Sequence, residues 1–398
     1  MTADAPFKVA IACGGTGGHL FPGLAVAERL VARGCSVTLL VSPKEVDQQA
    51  VKLAKGMEVV TLPAVGLSQG KRLAFLCGFL RSQRAAKKYF KTFRPDAALA
   101  MGGFTSAPPI LAARKFGART FLHESNTIPG RANRWLSWMV NQAFVGFRQA
   151  GSRLHTRKVI CSGTPVRPQF QVRDAAACRT ALGLDSAKPV LLVTGGSQGA
   201  SGINDLVSRA LPLLAKSVPD LQLFFLTGPS DAEKVRTACA ATNLKAVVHS
   251  FFSEMDQALG AATVAISRAG ASSIAELAAM RVPSVLIPFP AATDNHQFFN
   301  ARALSETGAA QLLEQKTVTP EQLAQTVCEL IRDSVAREKI QSALAQWHQP
   351  EAAAQIAETI LAEMERERER RAKLGASCGC CSCGHDHHAR TDVRAKAA

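Results

Sequence analysis

SRAGASSIAELAAMRVPSVLIPFPAATDNHQFFNA, residues 267–301, is the stretch from which the fold follows. The apolar run Thr263–Ile266 just ahead of it suits a buried strand. Arg268-Ala-Gly-Ala-Ser-Ser then turns the chain into a helix over Ser272–Met280, and a second strand is expected over Val282–Pro288. A helix opened by small residues leaves backbone N–H groups unpaired at its positive end, where a phosphate can approach closely. Glu276 lies one turn further in, placed to accept two hydroxyls of a ribose. A polar loop carrying Asp294, Asn295, His296 and Gln297 follows the second strand. Helix tip, acid and amide-bearing loop would wrap one sugar nucleotide from three sides. The same residues also suit an ordinary strand–helix–strand unit with a solvated Glu276.

At 398 residues the chain has room for two domains. Its 47 Lys+Arg against 31 Asp+Glu give a net charge of +16, compatible with nucleic acid, an anionic membrane face or an anionic substrate. Cysteines 13, 35, 77, 161, 178, 239 and 328 lie far apart, so they read as core residues or thiols of a reducing compartment, and disulfides are not expected. The opening residues, with Asp4 and Pro6, do not read as a secretory signal. No apolar run reaches the ~20 residues that would span a bilayer.

Lys8–Cys13 is an apolar strand, Gly14-Gly-Thr-Gly-Gly-His19 follows directly, and Pro22–Arg33 has helical apolar spacing. With a strand over Val37–Val41 this makes a βαβ unit whose glycine loop lies at the carboxyl edge. It is not the dinucleotide fingerprint, because Leu20 stands where G-x-G-x-x-G needs its third glycine. His19, an imidazole at the mouth of that loop, can act as a base; it can equally be a helix-start residue bonded to a neighbour. Gly102-Gly-Phe-Thr-Ser-Ala-Pro108 repeats the turn after a strand over Ala97–Met101. A strand over Thr120–His123 ends in His123-Glu-Ser-Asn126, which the carboxyl-end rule sends into the cleft. Gly195-Gly-Ser-Gln-Gly-Ala200, after a strand over Val190–Thr194, starts the second half in the same way. Twin doubly wound domains with a ligand between them are expected.

Lys71–Arg94 carries eight Lys and Arg and no acid, with Leu73, Leu76, Phe79 and Leu80 at helical intervals. Such a segment suits an anionic lipid surface, or else a pair of surface helices with a core-facing apolar side. Nucleic acid is not expected, since no aromatic platform interleaves with the charges. The alternating charges of Glu363–Arg371 read as a solvated helix end, closed by Gly375. Cys378-Gly-Cys-Cys-Ser-Cys-Gly-His-Asp-His-His388 could take zinc or copper, but as an appendage rather than a structural site.

The motifs GGTGGH (14–19), GGFTSAP (102–108), HESNTIPG (123–130), GTPVR (163–167), GGSQGA (195–200) and SRAGASSIAEL…DNHQ (267–297), in this order, resemble the MurG family. Its members are UDP-N-acetylglucosamine:lipid I N-acetylglucosaminyltransferases of peptidoglycan synthesis, and the resemblance covers about Phe7 to Ala362. It implies an α/β chain of GT-B glycosyltransferase architecture, two Rossmann-like domains with the active site in the cleft between them. The expected units are residues 7–165 (acceptor and membrane-facing), 166–345 (UDP-GlcNAc-binding), 346–373 (a helix crossing back to the first domain) and 374–398 (a disordered Cys/His-rich tail). The resemblance implies UDP-GlcNAc as donor and undecaprenyl-diphosphoryl-MurNAc-pentapeptide as acceptor, reached from the cytoplasmic face of the membrane by a peripheral enzyme. It implies that Thr16, Gly17 and Gly18 line the donor diphosphate or sugar and that Asn126 contacts the transferred sugar. Arg167 and Ser197 would bracket the diphosphate, and the backbone near Phe252 would read uracil. Ala271, Ser272, Ser273, Ile274, Ala275 and Glu276 would hold phosphate and ribose, Gln297 the sugar hydroxyls, and His19 would be the base.

No cofactor is expected, and the chain has no Asp-x-Asp that would indicate a metal-bound diphosphate. Phe104 stands where the family often has tyrosine, His123-Glu-Ser replaces the commoner His-Glu-Gln, and the Cys/His tail has no counterpart. The runner-up expectation is another GT-B enzyme, such as a diacylglycerol glycosyltransferase or a UDP-GlcNAc epimerase.

Overall fold

The computed structural model describes residues 6–44, 54, 56–63, 72–196 and 199–378. The first half builds a parallel sheet from β1 (Lys8–Ala12), β2 (Ser36–Val41), β3 (Glu58–Thr61), β4 (Ala97–Ala100), β5 (Arg119–Glu124), β6 (Gln142–Val145) and β7 (Val159–Cys161). Their order across the sheet is β3-β2-β1-β4-β5-β6-β7. The second half builds another parallel sheet from β8 (Val190–Thr194), β9 (Gln222–Leu226), β10 (Lys245–His249), β11 (Val264–Ser267), β12 (Ser284–Leu286) and β13 (Gln311–Leu312), in the order β10-β9-β8-β11-β12-β13. The strand order reverses between β1 and β4 and again between β8 and β11. In open α/β sheets that reversal opens a crevice at the carboxyl ends of the strands. The turns after β1, β4, β8 and β11 are the four small-residue motifs around residues 14, 102, 195 and 268.

Parallel strands covered on both faces read as unbroken apolar runs, and β1 shows why. Val9 and Ile11 face one core with helix Gly17–Ala32, while Ala10 and Ala12 face the other with helices Arg72–Phe93 and Ala107–Lys115. Register is held on both sides, with Ile11 opposite Leu39 of β2 and Leu99 of β4. The second domain has its own core, in which Val193 lies beside Ile266.

Helix Ser334–Trp347 packs on helix Ala271–Met280 of the second domain, whereas helix Ala352–Cys378 packs on Gly17–Ala32 of the first. Ile356, Ile360 and Met364 lie in the first domain's core, each such side chain stabilising by roughly 1.5–3 kcal/mol when buried. This last helix does not stop at Gly375; it continues to Cys378, where the described residues end. Its charge run is also not simply solvated. Glu363 and Glu367 are buried and paired with Lys158 and Arg119 of the first domain. Hydrogen bonds from Arg370 and Arg371, with the charge of Arg119, hold the Glu367 carboxyl well down, at about 2. The Cys/His-rich stretch expected to bind metal lies, apart from Cys378, outside the described residues.

Local boundaries differ where packing overrides pattern. Lys71–Arg94 yields one helix, Arg72–Phe93, rather than a pair. The polar loop at Asp294–Gln297 is a tight turn, Thr293–Asn295, running straight into helix His296–Ser305. The expected strand over Val282–Pro288 is shorter, Ser284–Leu286.

Candidate active site

Three helices that open at the crevice, starting at Gly17, Ser201 and Ala271, have Thr16, Ala200 and Gly270 before them and no side-chain cap. Elsewhere in the second domain, helices Ala175–Ala181, Pro320–Arg332 and Ser334–Trp347 are capped by Asp174, Thr319 and Asp333, while Ala232–Ala240 also lacks a side-chain cap. An uncapped tip keeps its N–H groups for a ligand, and the macrodipole favours an anion there. The two facing tips touch: Ser272 Oγ donates to the Gly18 carbonyl at 3.0 Å. The clamp and the first glycine loop are therefore two walls of one site.

His19 occupies the first turn of its helix, half-buried, with Nδ1 3.2 Å from Thr16 Oγ1. Its ring lies against the second glycine turn. A Cβ on Gly102 would fall 2.7 Å from His19 Nε2, and Gly102 has φ +123°, so glycine is required on both counts. Thr105 Oγ1 donates to the Gly14 carbonyl at 2.6 Å and Ser106 Oγ to that of Ala12 at 3.0 Å. GGTGGH and GGFTSAP are thus one unit built around an imidazole. Phe104 packs edge-on against Phe75 of helix Arg72–Phe93, ring centroids 5.4 Å apart.

Arg167 enters from the connection between the domains. Its guanidinium sits 4.4 Å from the ring of Phe21, on the first domain, and 5.0 Å from that of Phe170. Burial pulls its pKa down, against the opposing influence of Glu276, Asp256 and Glu28. Its Nε is buried with no hydrogen-bond partner among the described residues, which suits a cation facing an anion still to come. Glu276 points into the same space. Burial pushes its carboxyl up to about 7, against the opposing pull of Arg167 and with a further push from Asp256.

Of the other expected residues, Ala271, Ser272 and Ser273 form the open tip. Ile274 does not, because its side chain is in the core and its N–H donates to the Gly270 carbonyl at 2.9 Å. Ala275 follows it inside the helix. Gln297 Oε1 accepts from Phe289 N at 3.0 Å, which leaves its amide nitrogen to donate. Phe252 follows β10 and packs edge-on against Phe224. It lies three strand spacings from β11, about 14 Å along the carboxyl edge. Ser197 lies outside the described residues.

His123 and Glu124 do not face the cleft; both are buried. His123 Nε2 donates to the Gly163 carbonyl at 3.0 Å, and burial lowers its pKa to about 4, so the ring is neutral. Glu124 accepts from Asn126 N, Asn126 Nδ2, Gly130 N and Asn133 Nδ2 at 2.9–3.0 Å. These two residues shape the loop that presents Asn126, which alone of the three remains partly exposed.

Contacts missed by the sequence reading cross the cleft beside it. Asp294 pairs with Arg134 at 2.8 Å and Arg131 at 3.6 Å. Asp294 and Asn295 both hold positive φ, +52° and +54°, a strained turn for non-glycine residues. Asn300 is fully buried and bonds to Asn126 and Thr127. A usable signal for Asn300 did exist: it lies three residues after Gln297, on the same helical face.

Comparison with known proteins agrees with this geometry. The glycosyltransferase family 28 N-terminal domain matches residues 9–145 and the family 28 C-terminal domain residues 190–360. A UDP-N-acetylglucosamine--N-acetylmuramyl-(pentapeptide) pyrophosphoryl-undecaprenol N-acetylglucosamine transferase of Anaeromyxobacter sp. (strain K) is 36% identical, over 90% of this chain and 94% of its own. The protein of that name in Listeria welshimeri is 33% identical, over 90% of this chain and 100% of its own. The crystal structure of Acinetobacter baumannii MurG superposes with a TM-score of 0.71 at 28% identity, covering 90% of this chain and 100% of that one. Two parallel α/β domains, facing helix tips and relatives matched almost end to end place the chain in one group: it belongs to the family of UDP-N-acetylglucosamine--N-acetylmuramyl-(pentapeptide) pyrophosphoryl-undecaprenol N-acetylglucosamine transferases.

Proposed function

We propose that the chain is an inverting transferase. It moves N-acetylglucosamine from UDP-N-acetylglucosamine to the 4-hydroxyl of the MurNAc unit in undecaprenyl-diphosphoryl-MurNAc-pentapeptide. The observation that carries this reading is the meeting of the uncapped tip at Ala271, Glu276 and Arg167 with the glycine loop and His19 across one crevice. The tip and Arg167 would receive the diphosphate, Glu276 the ribose hydroxyls and the turn at Phe252 the uracil. Gln297 and Asn126 would hold the sugar, with Thr16, Gly17 and Gly18 beside the reacting centre.

His19 would take the proton of the acceptor 4-hydroxyl as its oxygen attacks the anomeric carbon. The carbon–oxygen bond to UDP breaks on the opposite side, which inverts the centre. Charge grows on the departing diphosphate, and the helix tip with Arg167 lies where it stabilises that charge. These donors are already oriented, so little reorganisation opposes the step.

The acceptor's polyprenyl chain confines it to a membrane, and helix Arg72–Phe93 supplies a matching surface. Leu73, Leu76 and Leu80 are 80%, 53% and 40% exposed, and Arg81, Arg84, Lys88 and Lys91 follow on the same helix. Apolar side chains rimmed by cations suit the anionic cytoplasmic leaflet better than a nucleic acid. Among the described residues no helix is long and apolar enough to cross a membrane, so the attachment proposed is peripheral.

Turnover of UDP-GlcNAc with a lipid I analogue by the purified chain is the test. His19→Ala is expected to cut kcat by about 10²- to 10⁴-fold with donor affinity kept, the range of a lost general base. An unaltered kcat in that variant would remove His19 from the reaction, and turnover without any lipid acceptor would favour an epimerase.

A further inference from the structure

We propose that Asn300 is a positioning residue for the transfer step: from the second domain it sets the orientation in which Asn126, on the first, meets the transferred sugar. This rests on the reading of Asn126 as a sugar contact. An asparagine amide can accept two hydrogen bonds and donate two, and Asn300 makes all four. Its Oδ1 accepts from Thr127 N and Thr127 Oγ1, both at 2.9 Å. Its Nδ2 donates to Asn126 Oδ1 at 3.0 Å and to the Ala269 carbonyl at 3.1 Å. The side chain is fully buried, where an unmatched polar group is costly, so this pattern admits one orientation.

Asn126 inherits that orientation. Its Oδ1 is turned to Asn300, and one Nδ2 hydrogen goes to Glu124 Oε1 at 3.0 Å. One N–H remains to donate to a sugar oxygen. The amide cannot flip without setting its nitrogen against the Asn300 nitrogen and its oxygen against a carboxylate. Glu124, Asn126, Asn300 and the Ala269 carbonyl thus form one chain across the cleft, ending one residue before Gly270 and the open helix tip. Asn126 keeps this setting only while the two domains hold this mutual position. A reactive geometry and a closed cleft are then one condition.

Asn300→Asp keeps the shape and the acceptor facing Thr127, but replaces the donor facing Asn126 by an acceptor. Asn126 must then flip or retreat. Steady-state turnover of UDP-GlcNAc and a lipid I analogue is compared for the parent chain, Asn300→Asp, Asn126→Ala and the double variant. Misplacing a contact by a fraction of an ångström to an ångström can cost up to about 100-fold, so kcat should fall roughly 10- to 100-fold in Asn300→Asp, with KM for UDP-GlcNAc within about threefold. The double variant should be little slower than Asn126→Ala alone, because both changes remove one contact. Losses that multiply would overturn the proposal, as would a parent-like kcat in Asn300→Asp beside a slow Asn126→Ala. A parent-like Asn126→Ala would instead sink the sugar assignment itself. Asn300→Ser, which also lacks the donor amide but adds no charge, repeats the cycle if the aspartate variant does not fold.

Discussion

Glu276 and His123 titrate in opposite directions from their ordinary values, for the same reason and with different consequences. Burial favours the uncharged form of each, the acid at about 7 and the imidazole at about 4. Folded Glu276 keeps a proton that the unfolded chain releases at the ordinary 4.5, so its contribution to stability is lost as pH rises through about 7. His123 stays neutral where the unfolded chain would charge at 6.5, so its contribution is lost as pH falls from there through about 4. Only Glu276 is proposed to touch ligand. Its ionised form accepts both ribose hydroxyls, so the donor should bind more tightly as pH rises and should release a proton on binding near neutrality. The KM for UDP-GlcNAc is expected to fall up to about tenfold between about pH 6 and about pH 8. Glu276→Gln should bind weakly at either pH and flatten the profile; a profile unchanged by that substitution would remove Glu276 from the ribose. The placement of Glu276 and His19 beside the crevice was legible in the sequence because each follows a small-residue turn at a fixed offset. The burial of His123 and Glu124 was not, since a carboxyl-end position does not tell which side of the backbone faces the cleft.

Helix starts in the second domain are finished in two ways. Thr319 caps its helix with a reciprocal box to Gln322, whereas Gly270 leaves the next helix open. Both signals can be read from sequence, as an S/T-x-x-E/Q pattern and as a run of small residues. Helix Arg72–Phe93 was only half legible. Its apolar positions have one periodicity, yet Ala86, Phe90 and Phe93 at one end are buried while Leu73 and Leu76 at the other are exposed. Which end meets the sheet depends on where helix Ala107–Lys115 packs, a tertiary fact. The exposed end leads to a prediction at this scale. Leu73→Glu with Leu76→Glu removes two side chains worth roughly 1.5–3 kcal/mol each when buried in an apolar phase, and adds two repelled charges. Cosedimentation with phosphatidylglycerol vesicles should weaken by about 100-fold or more. The rate on vesicle-borne acceptor should fall relative to the rate on a water-soluble analogue. Equal losses on both acceptors would argue against a lipid-facing role.

At the level of the whole molecule, the chain passes between domains twice, and the two passages touch. The first leaves β7 through Gly163-Thr-Pro-Val-Arg167; the second, between helices Ser334–Trp347 and Ala352–Cys378, carries Gln349. Gly163 has φ +80°, and a Cβ there would lie 2.6 Å from the Gln349 side chain. The Gly163 carbonyl is held by His123 Nε2 at the root of the Asn126 loop. The twin-domain plan was legible from two strand–glycine loop–helix openings. This crossing was not, because nothing in the spacing of Gly163 and Gln349 shows that they meet. The contact makes Gly163 the point where domain position, the His123 anchor and the C-terminal strap are coupled. Gly163→Ala should therefore do two things. It forces a side chain into the left-handed region and displaces Gln349, which together should lower stability by about 1–3 kcal/mol in urea melts. It also shifts the domains relative to one another, so kcat should fall further than the lost fraction of folded protein explains, with Gln349→Gly, which removes the Cβ that meets the new methyl, restoring part of the rate in the same chain. A chain in which Gly163→Ala melts early yet turns over at the parent rate per folded molecule would confine this crossing to a structural role.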